Sequence, residues 1–346
     1  MAKKKKEIKF PTELRYDIAS KDWVIIATGR AKRPEQFKKE KRKKVVVSKK
    51  ECPFCQIGSQ LPPTLVMVNG KIYKGKDIPK NWSLVVIPNK YPAFVPYEKI
   101  EVEKEGPFFQ KLPAAGFHEV VVTKDHIKQL AQFSVDKIKE VLDAYHLRYL
   151  ALKQKKFVNH IFIFHNHGQE AGASIFHPHS QIATTPLIDR DLQRALNSAK
   201  RFYRKHKKCI YCEMNKWEEK TEERIVFINK EFIAVCPFAS KVAFEVIISP
   251  RKHKPYFEKI TEKEKWYLAE AFKVVLGKLF KGLGDPAYNF YLHTSPCDGK
   301  DYSYYHWHWT ILPKTSIPAG FEFSAGMEIS TIEPEKAAQY LRKIKT

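Results

Sequence analysis

Short apolar runs recur along the chain and read as strands: WSLVVIP (82–88), EVVV (119–122), IFIF (161–164), FEVII (244–248), NFYLH (289–293) and HWTIL (308–312). Between them lie segments with helical periodicity. Residues 134–153 place Ile138, Val141, Leu142, Tyr145, Tyr149 and Leu152 on one face, with Ser134 as the predicted N-cap. Residues 261–281 open with Thr261-x-x-Glu264, a capping-box pattern, and continue through Trp266, Ala269, Phe272, Leu276 and Phe280. Residues 189–207 read as a basic helix between two halves. Strands, one long helix and more strands per half predict an α+β fold with mainly antiparallel sheet.

The two halves carry the same landmarks in the same order. Cys52-x-x-Cys55, YPAF (91–94), HEVVVTKDH (118–126), FIFHNHG (162–168) and IFHPHSQI (175–182) make up the first series. Cys209-x-x-Cys212, FIAVCPFA (232–239), FEVIISPRKH (244–253), FYLHTSP (290–296) and YHWHWTI (305–311) make up the second. Intervals agree to within one residue, with His165 paired to His293 and His126 to His253. This predicts a duplicated domain, divided as 1–188 and 189–346.

Composition narrows the classes. With 346 residues, 43% hydrophobic and 13% aromatic, the chain reads as globular. It has no run of about 18 apolar residues, which argues against a membrane partner. The N-terminus MAKKKKEIKF lacks the apolar core of a signal peptide, so a cytoplasmic location is expected. The net charge of +24 includes basic runs at 3–6 and 38–44. No RNA-recognition signature or zinc-finger spacing accompanies them, which argues against nucleic acid. Polyanionic substrates or a lysine-rich surface remain as explanations.

Two C-x-x-C pairs in a cytoplasmic chain favour metal over disulfides. Zinc takes four sulfur and nitrogen ligands. Each half offers such a set: Cys52, Cys55, His126 and one histidine of HPH, then Cys209, Cys212, His253 and one of His306 or His308. His118 competes with His126, and the repeat decides for His126. A strand–turn cysteine pair would meet histidines from two other strands. Pro178 argues for an edge or locally irregular strand at HPH.

Each half thus has one histidine more than a metal requires. With the first of an H-x-H pair on metal, the second is presented at the sheet surface. His179 then has the chemistry of a nucleophile that can carry a transferred phosphoryl group. Gln181 is uncharged and suits a phosphate oxygen, and Gly168, Gly172 and Ser174 supply accessible backbone and a hydroxyl. Trp-Thr follows His308, so only the first half looks complete.

These residues resemble the histidine-triad superfamily, specifically the galactose-1-phosphate uridylyltransferase family and related nucleotide-sugar phosphorylases. The resemblance runs from GRAKRP (29–34) through ECPFC, VVIPNKYPAF, FHNHGQEAGASIFHPHSQ and HWHWTILPK to FSAGMEI (323–329). It implies a duplicated histidine-triad-like fold and ping-pong transfer of uridylyl from UDP-glucose to galactose 1-phosphate. His179 matches the nucleophile and Gln181 the phosphate-binding glutamine. Asn166 and Ser174 match phosphate-contacting positions, Arg30 and Arg33 basic residues near the nucleotide, and Asn89 a ribose- or base-contacting asparagine. Glu328 matches a carboxylate on the hexose hydroxyls, in some members reaching from the partner subunit. The resemblance also implies structural zinc on Cys52, Cys55, His126 and His177, and a homodimer. By the repeat, the second zinc set is Cys209, Cys212, His253 and His306.

Two departures bear on substrate. Many uridylyltransferases read HPHGQ where this chain reads HPHSQ. The serine form, like Cys209 and Cys212, resembles the plant ADP-glucose phosphorylase branch, which implies inorganic phosphate as the alternative acceptor. Glu328 leans back toward a hexose 1-phosphate. A catalytically idle zinc module that binds nucleotides or RNA is the rival from another class.

Overall fold

The computed structural model describes residues 12–28, 48–75 and 77–346. In the first half, β1 (Thr12–Tyr16) and β2 (Trp23–Ala27) form a hairpin. The strands β3 (Leu65–Val68), β4 (Lys71–Ile72) and β5 (Leu84–Pro88) follow, then a small hairpin of β6 (Glu103–Glu105) and β7 (Phe109–Lys111), then β8 (His118–Thr123). Helix α1 (Val135–Leu152) leads to β9 (His160–His167) and β10 (His179–Thr185). The basic helix α2 (Arg190–His206) crosses to α3 (Ile210–Thr221), β11 (Ile225–Ile228), β12 (Phe232–Val235) and β13 (Val246–Pro250). After α4 (Glu262–Leu283) come β14 (Tyr288–His293), β15 (His308–Pro313), α5 (Gly320–Ala325), β16 (Ile329–Ser330) and α6 (Pro334–Lys343).

Eleven strands make one sheet in the order β11-β12-β13-β15-β14-β9-β10-β8-β5-β3-β4. Read outward from the β14–β9 junction, the halves mirror each other: β14-β15-β13-β12-β11 and β9-β10-β8-β5-β3. The duplication is therefore written into the topology, and β9 and β14 zip the halves edge to edge with Asn289 opposite Asn166. Such pairing leaves neither half with an open edge at its centre.

Helices α1 and α4 pack side by side on one face, over Ile161, Ile163, Ile182, Phe290, Trp309 and Ile248. The helical stripe of α1 is buried as its period predicts, and Ser134 caps it through Lys137 N–H, 3.3 Å away. The capping box of α4 is complete: Glu264 N–H donates to Thr261 Oγ1 (3.3 Å) and Thr261 N–H to the Glu264 carboxylate (2.9 Å). Trp266 departs from the predicted face and is 43% exposed, while Leu268 and Val275 fill the core. Because side chains alternate along a strand, the other face carries His179 and Gln181 of β10, Asn166 of β9, Asn289 and His293 of β14 and His308 of β15. No described helix is long and apolar enough to cross a membrane.

β10 lies in the middle of the sheet, between β9 and β8, which corrects the edge-strand expectation. Pro178 sits just before the first ladder residue, His179, so its missing N–H removes no ladder bond. The basic runs at 3–6 and 38–44 fall outside the described residues.

Candidate functional site

The first C-x-x-C lies on a turn that packs against β8 and β5 through Phe54, Val85, Val120 and Val122. This brings Cys52 and Cys55 to His126 and His177. Cys55 Sγ is 3.2 Å from His126 Nδ1 and 3.6 Å from His177 Nδ1, Cys52 Sγ is 3.5 Å from His177 Nδ1, and the two imidazole nitrogens are 3.3 Å apart. Ligands bonded to one zinc ion at ~2.0–2.3 Å sit roughly 3.3–3.8 Å apart at tetrahedral angles. His177 Nε2–H donates to the Thr123 carbonyl (2.7 Å), which leaves Nδ1 as the free ligand atom. Burial, together with the neighbouring Cys52 thiol, lifts the Cys55 thiol to about 11, a penalty that a cation among these ligands reverses.

The second set converges in the same way. Cys212 Sγ lies 3.5 Å from His253 Nδ1 and 3.4 Å from His306 Nδ1, and Cys209 completes a group whose ligand atoms all lie within 4.8 Å of one another. His253 and His306 turn their Nε2–H groups to the Ser303 and Pro250 carbonyls (2.7 and 2.9 Å). Here the cysteines are not on a strand–turn: Cys209 is the N-cap residue of α3 and Cys212 lies in its first turn. Both groups have the donor set and spacing to hold a metal ion. His118 stands apart from the first group, as the repeat required.

The second histidine of each H-x-H pair is locked in one tautomer. His179 Nδ1–H donates to the His177 carbonyl (2.9 Å) and His308 Nδ1–H to the His306 carbonyl (3.1 Å), so each Nε2 keeps its lone pair. Burial depresses both imidazoles, His308 to about 4, and keeps them neutral. An aromatic from the matching C-x-x-C covers each ring: Phe54 lies 5.0 Å from His179 and Tyr211 lies 5.4 Å from His308. That parallel was legible in C-P-F-C and C-I-Y-C.

The halves then diverge. His293 stacks on His308 at 4.6 Å, opposite it across β14–β15. The β9–β10 register puts Ser180 opposite His165, so the residue facing His179 is Asn166. The sequence pairing of His165 with His293 is therefore off by one, and a one-residue shift moves a strand residue to the other face. His165 points into the core, stacked on Phe290 at 4.9 Å, where burial drives its pKa well down. The first half thus has amides at 166 and 181, where the second has His293 and Thr310.

Gln181 and Asn166 flank His179 on this face. Asn89, on the loop after β5, holds its Nδ2 3.3 Å from His118 Nε2, which in turn lies 2.8 Å from Gln181 Oε1. Gly116 lets the chain before β8 approach β10, since a Cβ there collides with the Thr184 carbonyl. Ser174 is exposed on the β9–β10 connection with Gly168 and Gly172. Glu328 lies elsewhere: its backbone carbonyl accepts from Ile25 N–H (3.0 Å), and its carboxylate sits in the field of Lys241, Glu245 and Tyr291 on the second half. Among the described contacts none joins it to His179 or Gln181. Arg30 and Arg33 lie outside the described residues.

Ser180 turns the opposite way from His179 and Gln181. It is 2% exposed, under the sheet, where its hydroxyl meets Tyr145 OH (2.5 Å) and His165 Nδ1 (3.0 Å). The departure from HPHGQ at this position therefore falls in the core, where strand alternation turns the side chain away from the substrate face.

A twofold-repeated α+β sheet, with a Cys2His2 group set against an H-x-H strand in each half, defines the class as a duplicated histidine-triad-like protein. The chain belongs to the galactose-1-phosphate uridyl transferase family: the family's N-terminal domain matches residues 2–188 and its C-terminal domain residues 195–345. It is 32% identical over 336 residues to the ADP-glucose phosphorylase of Arabidopsis thaliana, covering 96% of this chain and 93% of that one. It is 30% identical over 342 residues to a galactose-1-phosphate uridylyltransferase of Thermotoga maritima (96% and 98% covered). Among solved structures, the Arabidopsis ADP-glucose phosphorylase with bound ADP-glucose superposes with a TM-score of 0.79 at 30% identity, covering 97% of this chain and 100% of that one. A uridylyltransferase structure gives 0.71 at 26%, covering 95% and 97%.

Proposed function

We propose that the protein is a hexose-1-phosphate nucleotidyltransferase that works through a nucleotidyl-histidine on His179, with UDP-glucose as donor and galactose 1-phosphate as acceptor. The observation that carries this reading is the His179 tautomer: a neutral ring whose Nε2 lone pair faces the same surface as the Gln181 and Asn166 amides. Nε2 attacks the α-phosphorus, the bond to the bridging oxygen breaks, and hexose 1-phosphate leaves. The positive charge that develops on the ring is held by the Nδ1–H bond to the His177 carbonyl. An acceptor phosphate oxygen then attacks the same phosphorus, and His179 leaves with its lone pair restored. Asn166, Gln181 and Ser174 bind phosphate oxygens, Asn89 meets the nucleoside, and Arg30 and Arg33 complement its phosphates.

Zinc is the metal we assign to both Cys2His2 groups, because two thiolates and two imidazoles at tetrahedral spacing suit it. Its part is to fix His177, and with it the strand that presents His179. A homodimer belongs to this reading, with Glu328 of one copy reaching a hexose in the other; its placement beside Lys241, Glu245 and Tyr291 of the second half supports that arrangement. We assign the protein to the cytoplasm.

The similarity to an ADP-glucose phosphorylase favours a second reading, with ADP-glucose as donor and inorganic phosphate as acceptor. Comparing kcat/KM for the four donor–acceptor combinations decides it. The proposal expects UDP-glucose with galactose 1-phosphate to dominate; dominance of ADP-glucose with phosphate selects the second reading.

A further inference from the structure

The amides of Gln181 and Asn166 can help a phosphate only if they turn their NH2 groups toward it. A side-chain amide flipped by half a turn presents oxygen and repels the same anion. In this site both directions are fixed through chains of hydrogen bonds that end on backbone groups, whose polarity cannot change.

The first chain starts at Ala93, whose backbone N–H donates to His118 Nδ1 (3.1 Å). That nitrogen is therefore unprotonated, and the proton of the neutral ring sits on Nε2. Nε2–H donates to Gln181 Oε1 (2.8 Å), so the Gln181 NH2 group faces away from His118. Asn89 does not compete, because Tyr91 N–H donates to its Oδ1 (2.9 Å) and leaves its nitrogen, not an acceptor, beside His118.

The second chain starts at the Ala171 carbonyl, which accepts from Asn289 Nδ2 (2.8 Å). The same amide nitrogen donates to Asn166 Oδ1 (2.8 Å), so Asn166 must turn its NH2 the other way. It faces the Gly172 turn, where a Cβ at Gly172 would lie 4.0 Å from Asn166 Nδ2. Asn289 belongs to β14, so the second half of the molecule sets the direction of a first-half amide across the β9–β14 seam.

We infer that His118 and Asn289 are positioning residues, one for each phosphate-binding amide, which hold the Gln181 and Asn166 NH2 groups aimed at the transferred phosphate before substrate arrives. This rests on the nucleotidyl-transfer reading of the same site. Donors fixed in advance stabilise developing charge without reorganising during the reaction.

Two measurements test it. In 15N-histidine NMR of the intact protein, His118 is expected as the Nε2–H tautomer; an Nδ1–H signature overturns the first chain whatever the protein catalyses. The second is a pair of double-mutant cycles read by the single-turnover rate of His179 loading from a nucleotide sugar. His118→Phe and Asn289→Leu are each expected to slow loading by ~10-fold or more, a fraction of what removing a whole donor does. His118→Phe should then add nothing in a Gln181→Ala background, nor Asn289→Leu in an Asn166→Ala background. Additive losses with loading otherwise intact overturn the positioning roles alone. No loading of the unsubstituted protein by either UDP-glucose or ADP-glucose overturns the transfer reading, and this inference with it.

Discussion

Replacing Ser180 by glycine separates a structural role from a substrate-selecting one. Ser180 joins two groups that have no route to solvent: Tyr145 is 1% exposed and His165 is 1% exposed. Its hydroxyl meets Tyr145 OH and His165 Nδ1, and His165 Nε2 has no hydrogen-bond partner among the described residues. Glycine therefore strands two buried polar atoms, each worth ~1–3 kcal/mol when left unsatisfied. Glycine within a strand adds ~0.5–1 kcal/mol. A single water filling the vacated space offsets part of this. The expected net loss is about 2–4 kcal/mol, measured by urea unfolding at fixed zinc concentration. Ser180→Ala should recover only the strand contribution, and Tyr145→Phe should make the glycine substitution less damaging. The ratio of kcat/KM for UDP-glucose over ADP-glucose should not change. A loss below ~0.5 kcal/mol, set against the cost of an unsatisfied buried group, or a switch of nucleotide preference would refute the reasoning.

Two further predictions concern the metal groups and a buried acid. Metal analysis should find about two zinc ions per chain, as two closed four-ligand sets require; Cys212→Ser should remove one of them and lower the melting temperature, and an unchanged zinc content would remove the second site from the account. Glu245 is buried, and desolvation lifts its pKa from 4.5 to about 7. The folded state then holds a proton that the unfolded chain gives up, so this group's contribution is complete below about pH 4.5 and declines as pH rises to about 7. The decline amounts to about 3 kcal/mol at most. Glu245→Gln should abolish that slope in a series of unfolding curves from pH 4.5 to 8, and an unaltered slope would contradict it.

The parts of this site that were legible in the sequence are those set by residue type. Cys-x-x-Cys, His126 and the H-x-H pairs announce themselves because few other chemistries use those groups together, and the repeat settled which histidine completes each set. The long helices were legible through their caps and apolar periods. What was not legible depends on register. A one-residue slip between intervals of twelve and thirteen matched His165 to His293, whereas the strand registers make Asn166, facing His179, the counterpart of His293, facing His308, and that slip exchanges core for surface. The same alternation sends Ser180 inward beside two functional neighbours that point outward. Cys209 looked like its counterpart but stands at the N-cap position of α3, so the second pair opens a helix where the first lies on a turn. The partners of Gln181 and Asn166 come from 63 and 123 residues away in sequence, through hydrogen bonds whose direction only the folded backbone fixes.

The central claim is that His179 carries the nucleotidyl group. The direct measurement is incubation with UDP-glucose labelled at the α-phosphate, and in parallel with ADP-glucose so labelled, followed by peptide mapping under alkaline conditions. The account predicts an acid-labile nucleotidyl group on His179, lost on adding the acceptor and absent from His179→Asn. Full retention of label in His179→Asn, or no label on the protein from either donor, would contradict it.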